Sequence, residues 1–169
     1  MLEIELSDLK LEDFDEIVAA FESLGWHKPR KQYETYLLNQ VNGSRTVVVC
    51  RHKEEFAGYV TLVWGSAYPD FKAGNIPEIS DLNVLPHFRR NGIGTRLIIE
   101  CESVAKSKGF REIGLGVGLT ADYGNAQRIY FRLGYVPDGK GLHYGIRAIE
   151  YNQSVVADDY LVLYLSKVL

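Results

Sequence analysis

Residues 89–98, RRNGIGTRLI, constrain this chain more than any other stretch: two arginines, an Asn-Gly pair and a second glycine stand where a strand hands over to an apolar-striped helix. The preceding EISDLNVL reads as a strand ended by Pro86. The helix is expected from about 92 to 108, with apolar residues at 93, 97, 98, 101, 104 and 105 and Gly109 as its stop. A helix N-terminus leaves about four backbone N–H groups unpaired and carries a partial positive charge, so it favours anions. Asn91-Gly92 permits positive φ at the turn, and Gly94 opens the helix with no Cβ in a ligand's way. Thr95 adds a hydroxyl in the first turn, and Arg89 and Arg90 supply long cationic arms that can fold over a phosphate. Together these residues make an anion cradle of pyrophosphate size.

Two competing motifs fail on spacing. A dinucleotide-binding G-x-G-x-x-G needs glycine where Leu97 stands. GYVPDGK, residues 134–140, has the frame of a phosphate-binding P-loop, but Gly141 replaces the magnesium-binding Ser or Thr and the stretch follows a helix instead of a strand.

The rest of the chain reads as an alternation of strands and helices. EIELSDL (3–9) alternates like a half-buried strand, and LEDFDEIVAAFESLG carries apolar residues at 14, 17, 18 and 21 and closes on Gly25. YETYLLNQV suggests a second helix, and SRTVVVCR with EFAGYVTLVW an antiparallel hairpin across the charged turn HKEE. GSAYPDFKAGNIP reads as a loop by its Gly and Pro content. After the glycine-loop helix come the strand EIGLGVGL, a helix over YGNAQRIYFRL stopped by Gly134, a strand start at GYVP, a Gly-rich passage, and a final strand in DYLVLYLSKV. The order βααβββαβαββ, without repeat or linker, predicts one mixed-sheet α/β domain over residues 1–169.

Charge narrows the partners. With 19 Lys+Arg against 22 Asp+Glu the net charge is −3, so no global basic field draws the chain to nucleic acid or an anionic membrane. No apolar run is long enough to span a bilayer, and the acidic start lacks the pattern of a signal peptide. Cys50 and Cys101 sit in apolar segments, as core residues in a reducing compartment would, which predicts a cytoplasmic protein. His27, His52, His87 and His143 are scattered without metal-ligand spacing, so no metal site is expected.

Arg89-Arg90-Asn91-Gly92-Ile93-Gly94 fits the pattern [Q/R]-x-x-G-x-[G/A] behind an apolar-Pro step at Leu85-Pro86, and AQRIYFRLGY (126–135) fits A-x-x-[LI]-Y-x-x-x-G-[FY]. In both, the chain resembles the GNAT superfamily of N-acetyltransferases, well over residues 58–136 and by element order at the two ends. The resemblance implies an α/β (α+β) GNAT fold, a central mixed, mostly antiparallel sheet of about seven strands flanked by about four helices. It also implies acetyl-CoA as co-substrate and direct acetyl transfer to a primary amine. The strand ending at Val84, with Leu82, then lends backbone groups to the pantetheine arm and thioester carbonyl, and Arg89 to Thr95 hold the pyrophosphate.

Tyr130 shares a helix face with Ala126, Ile129 and Leu133 and points inward; the tyrosine at this motif position in resembling proteins protonates the departing thiolate. A phenol of ordinary pKa, about 10, is protonated at pH 7 and suits that task. Glu78, at the start of its strand, stands where some family members place a catalytic glutamate; a water chain is the alternative base. Asp81 is expected on the other side of the strand by period-two alternation. Where the family often carries a coenzyme A-binding asparagine, this chain has Tyr123; Asn125 is either a substitute ligand or a helix cap. Gly114, Gly116 and Gly118 share one strand face, left bare for a close helix or ligand.

The resemblance implies acceptor contacts from the first two helices and the late loop, where it is weakest; here these carry Trp26, His27, Tyr33, Tyr36, His143 and Tyr144, with Asp158 and Asp159 following. Aromatics with carboxylates suit a small cation, and surface aromatics equally suit a homodimer interface. These residues do not name the acceptor; the resemblance implies a small-molecule or peptide amine. Transfer to protein N-termini or lysines, or a non-catalytic acyl-CoA sensor, are the alternatives.

Overall fold

The computed structural model describes residues 2–169. In chain order its elements are β1 (Glu5–Asp8), α1 (Phe14–Glu22), α2 (Arg30–Val41), β2 (Arg45–His52), β3 (Glu55–Val63), α3 (Pro69–Gly74), β4 (Glu78–Val84), α4 (Ile93–Ser107), β5 (Glu112–Gly118), α5 (Gly124–Arg132), β6 (Val136–Tyr144), β7 (Arg147–Ala148) and β8 (Leu161–Val168). The eight strands form an open mixed sheet. The chain divides into two compact units, Met1–Trp64 with Ser80–Val104 and Gly65–Ile79 with Ala105–Leu169. Strand order is β1-β2-β3-β4 in the first and β4-β5-β8-β6-β7 in the second, β4 contributing to both.

In the first unit β2 and β3 form the expected hairpin, with Val48 opposite Val60 and His52 opposite Glu55. Lys53 and Glu54 turn it with φ of 47° and 69°, the paired left-handed conformations that match strand twist. Phe14, Ile17 and Phe21 of α1, Tyr33 of α2 and Phe56, Tyr59 and Leu62 of β3 are fully or almost fully buried. Their rings interlock edge to face, Phe21 against Tyr59 at 6.0 Å and 89°. Gly58 of β3 lies against the backbone of β4: a Cβ there would fall 2.3 Å from the carbonyl oxygen of Asn83. Along α4 the buried residues Ile93, Leu97, Ile98, Cys101 and Ala105 follow the apolar stripe that the sequence predicts. Cys50 and Cys101 are buried free thiols.

In the second unit β4 and β5 run parallel, with Glu78 opposite Gly114 and Ile79 opposite Leu115, and β5 pairs antiparallel with β8. Three expectations are corrected here. Residues 69–74 are a short helix and not loop, because Pro69 starts it at N1, where a missing N–H costs nothing, and Phe71 is buried beneath it. The strand beginning near residue 136 does not stop at Pro137 but continues to Tyr144. Its register against β8 slips between Pro137 and Leu142, where Pro137 lacks a ladder donor and Gly139 and Gly141 adopt φ of 82° and 78°. β7, two residues paired with the end of β6, adds an eighth strand. The glycines of β5 make room for rings: a Cβ on Gly114 would meet Phe71 at 2.3 Å, and one on Gly118 would meet Tyr123 at 2.5 Å. Among the described residues no helix is long and apolar enough to cross a membrane.

Candidate functional site

The loop between β4 and α4 has the expected geometry with one refinement. Positive φ falls on Arg90 (65°) and Gly92 (82°), so Asn91 lies between two left-handed residues and is not itself one of them. Its side chain braces the loop instead, donating to the carbonyls of Phe88 and Arg89, both at 3.2 Å. Arg89 donates from Nε to the carbonyl of Val84 at 3.0 Å, and its guanidinium lies 5.5 Å over the ring of Trp26. The amide of Arg96 bonds the Gly92 carbonyl at 3.0 Å. The amides ahead of it, on Ile93, Gly94 and Thr95, have no helical turn behind them to bond. The Ile93 side chain is buried and anchors the helix, while Arg89 to Gly92 are exposed. A Cβ on Gly92 would meet nothing within 4 Å, and one on Gly94 only a methyl of Val84 at 3.9 Å. The surface above the helix start is thus open to a ligand at backbone distance.

One turn of chain earlier, β4 is irregular. Asp81 has φ of 50°, which interrupts the alternation from which its side was predicted. Its carboxylate collects five donors. Lys28 Nζ and Asn83 Nδ2 reach Oδ1 at 2.6 and 2.8 Å; Gln32 Nε2, Tyr36 Oη and Tyr59 Oη reach Oδ2 at 2.9, 2.9 and 2.5 Å. Burial alone would push the Asp81 carboxyl up, but the Lys28 ammonium and the donating phenols outweigh it and hold it below the usual carboxylate range. Burial and the same carboxylate push the Tyr59 and Tyr36 hydroxyls well above an ordinary phenol. The hydroxyl of Tyr33, fully buried beside that of Tyr59, has no partner in hydrogen-bond geometry. Tyr36 also carries the Arg45 guanidinium 4.4 Å above its ring. Leu82 and Val84 follow on the same strand, half-buried.

The remaining predicted residues lie in the second unit. Glu78 is half-buried and accepts a hydrogen bond from Ser66 Oγ at 2.5 Å. Tyr130 is 7% exposed on the inner face of α5, its ring edge-on to Tyr135 at 6.0 Å. Asn125 is exposed in the first turn of α5, beyond the N-cap Tyr123, and makes no capping hydrogen bond, so the cap reading is corrected. Tyr123 donates to Asp159 at 3.0 Å and Tyr144 to Asp158 at 2.7 Å, so both carboxylates are tied to aromatic hydroxyls. His143 is buried edge-on to the rings of both Tyr68 and Tyr164, at 5.0 and 5.3 Å, and those two rings stack on each other at 3.6 Å.

The structure therefore brings Leu82, Val84 and Arg89 to Thr95 together in one unit, with Tyr33 and Tyr36 beside them, and places Glu78, Tyr130, Asn125, His143 and Tyr144 in the other. Sequence reasoning missed the Asp81 hub and its partners Lys28 and Gln32. Only the i,i+4 spacing of Gln32 and Tyr36 hinted at a shared polar face. Among the described residues no group of three or more His, Cys, Asp or Glu could hold a metal ion.

The family model of the acetyltransferase (GNAT) family matches residues 11–135. No curated protein matches the chain. Similar solved structures include an N-acetyltransferase from Staphylococcus aureus Mu50, 15% identical, covering 98% of each chain with a TM-score of 0.71. Another is the PaiA N-acetyltransferase of Thermoplasma acidophilum in complex with coenzyme A, 16% identical, covering 99% of this chain and 100% of that one, TM-score 0.70. A third is a ribosomal-protein-alanine N-acetyltransferase from Brucella melitensis, 14% identical, covering 98% and 99%, TM-score 0.73.

Proposed function

Since the chain belongs to the acetyltransferase (GNAT) family and is an N-acetyltransferase, we propose that it moves the acetyl group of acetyl-CoA directly onto a primary amine of a small molecule or peptide, residues 1–169 acting as one domain. The observation that carries this reading is the open, left-handed Gly92 turn at the start of α4, where a diphosphate meets free amides with no Cβ in the way. The complex of the similar PaiA enzyme with coenzyme A supports the same donor here.

Acetyl-CoA supplies an acetyl thioester with a good leaving group. The amides of Gly92 to Thr95 bind its diphosphate, Arg89 and Arg90 flank it, and the backbone of Leu82 to Val84 aligns the pantetheine arm and polarises the thioester carbonyl. Asn125, exposed at the start of α5, is a further contact for the donor. An acceptor amine is an ammonium ion in water and must lose a proton before it can attack. Glu78 takes that proton, directly or through water, and the neutral nitrogen forms the new C–N bond. As the C–S bond breaks, the Tyr130 hydroxyl gives its proton to the sulfur, and the second proton that the nitrogen sheds as the amide forms restores the phenol through water. The two buried thiols, Cys50 and Cys101, support a reducing, cytoplasmic setting.

The fold likeness to the ribosomal-protein-alanine enzyme raises a protein N-terminus as the alternative acceptor. Release of free thiol from acetyl-CoA, followed against polyamines, amino acids, aminoglycosides and short peptides, tests both. One amine class should release thiol well above the water background. Tight acetyl-CoA binding with no release against any amine or peptide would overturn the proposal.

A further inference from the structure

The Asp81 hub has more donors than a strand carboxylate needs, and only one of them is charged. Gln32, Tyr36, Tyr59 and Asn83 are neutral, so among the five donors Lys28 alone brings a positive charge to the carboxylate. The donors also differ in how firmly they are held. Gln32 and Tyr36 stand on α2, Tyr59 on β3, and Asn83 two residues along β4. Lys28 comes from the irregular segment between the end of α1 and Pro29, on a side chain of four rotatable methylenes. Its ammonium lies 5.9 Å from the ring centres of both Phe21 and Tyr59, within the range of a cation held by aromatic faces. The unpartnered hydroxyl of buried Tyr33 adjoins the same cluster. Without the lysine ammonium, the remainder is a carboxylate with an aromatic wall and a spare hydroxyl, which selects a monocation.

We propose that this cage is a subsite for a second, non-reacting ammonium group of the acceptor, with the Lys28 ammonium as its removable internal occupant. The inference rests on the acetyl-transfer reading and adds a substrate class to it. Asp81 is joined to Leu82, one Cα step of about 3.8 Å from the backbone assigned to the thioester. An amine anchored at Asp81 therefore leaves a second amine, a few methylenes away, within reach of the acetyl group. The acceptor class is a diamine or a longer polyamine. The left-handed backbone of Asp81, unfavourable for a side-chain-bearing residue, is held by these hydrogen bonds and aims the carboxylate into the cage.

The probe pair is 1,4-diaminobutane and butylamine, the same carbon chain with and without the second ammonium. Binding of each to wild type, Lys28→Met and Asp81→Asn is followed by NMR titration without donor, and thiol release is followed in parallel. Wild type should use the diamine over butylamine by about tenfold in kcat/KM, the size of one desolvated charge contact. Lys28→Met should bind the diamine about tenfold more tightly than wild type does, because its competitor is gone, and Asp81→Asn should lose the discrimination. Amine binding by Lys28→Met no tighter than by wild type overturns the inference, and that result stands even if Asp81→Asn does not fold. Absence of thiol release with every amine would sink the acetyl-transfer reading instead, while the donor-free titration still decides whether the cage takes a cation.

Discussion

Replacing Gly58 by alanine would drive a methyl group into the backbone of β4. The new Cβ would lie 2.3 Å from the carbonyl oxygen of Asn83 and 3.0 Å from the Cα of Val84. A carbon–oxygen contact relaxes only at about 3.3 Å, so the two strands must part by roughly 1 Å. Overpacking of this kind costs about 1–3 kcal/mol, and the obstructing atoms here are main chain, which cannot rotate aside as a side-chain tip would. The expected loss is near the upper end, about 3 kcal/mol, which for a chain of this size lowers Tm by roughly 6–12 °C. The displaced segment is the one proposed to hold the donor. A misplacement of about 1 Å should therefore reduce acetyl transfer by on the order of 100-fold at temperatures where the variant is still folded. Urea unfolding and thiol release measure the two effects separately. Gly65→Ala, where a Cβ meets nothing within 4 Å, is the control. If Gly58→Ala unfolds within about 0.5 kcal/mol of wild type and turns over normally, the contact does not position β4 as described.

Further outcomes follow from the hydrogen-bonded groups. The Asp81 carboxyl is held below its ordinary value, so its contribution to stability is present above the unfolded value of about 4 and is lost as pH falls through the lower folded value. Urea unfolding between about pH 2 and pH 6 should show this acid-side slope in wild type and a shallower one in Asp81→Asn. The Tyr59 and Tyr36 hydroxyls are held above theirs by burial and by Asp81, so their contribution is complete below about pH 10 and is lost as pH rises beyond it. Ultraviolet titration should find them ionising only together with unfolding. Tyr130→Phe keeps the ring on the inner face of α5 and removes the proton donor; kcat should fall about 100-fold or more while acetyl-CoA binding stays close to wild type.

Much of the fold was legible because its signals are local. Gly25, Gly109 and Gly134, each read as a helix stop, have φ of 70°, 86° and 90°. The apolar spacing of α4 and the inward face of Tyr130 follow from helix periodicity, and Pro86, Asn91-Gly92 and Gly94 mark the loop that joins β4 to α4. The Asp81 hub was not legible, since four of its donors lie 53, 49, 45 and 22 residues away and the residue sits in a left-handed conformation that no side-chain pattern announces. The glycines of β5 were recognised as a bare face, but the rings of Phe71 and Tyr123 that fill it come from other elements. Residues 65–77 and 138–145 misled for a shared reason. Gly and Pro mark loops on average, yet Pro69 starts a helix, and Pro137 with Gly139 and Gly141 forms a bulge inside a strand.

Calorimetric titration with acetyl-CoA, run on wild type and on Gly92→Glu, tests the central claim most directly. Gly92 has φ of 82°, and a glutamate there would strain the turn and set a carboxylate where the diphosphate should lie. Wild type should bind one equivalent of acetyl-CoA, and the variant should bind at least roughly 100-fold more weakly, the loss of about 3 kcal/mol from hydrogen bonds to a charged group. Equal affinity in a folded variant, or no binding by wild type, would contradict the assignment of Arg89 to Thr95 as the donor's anion site.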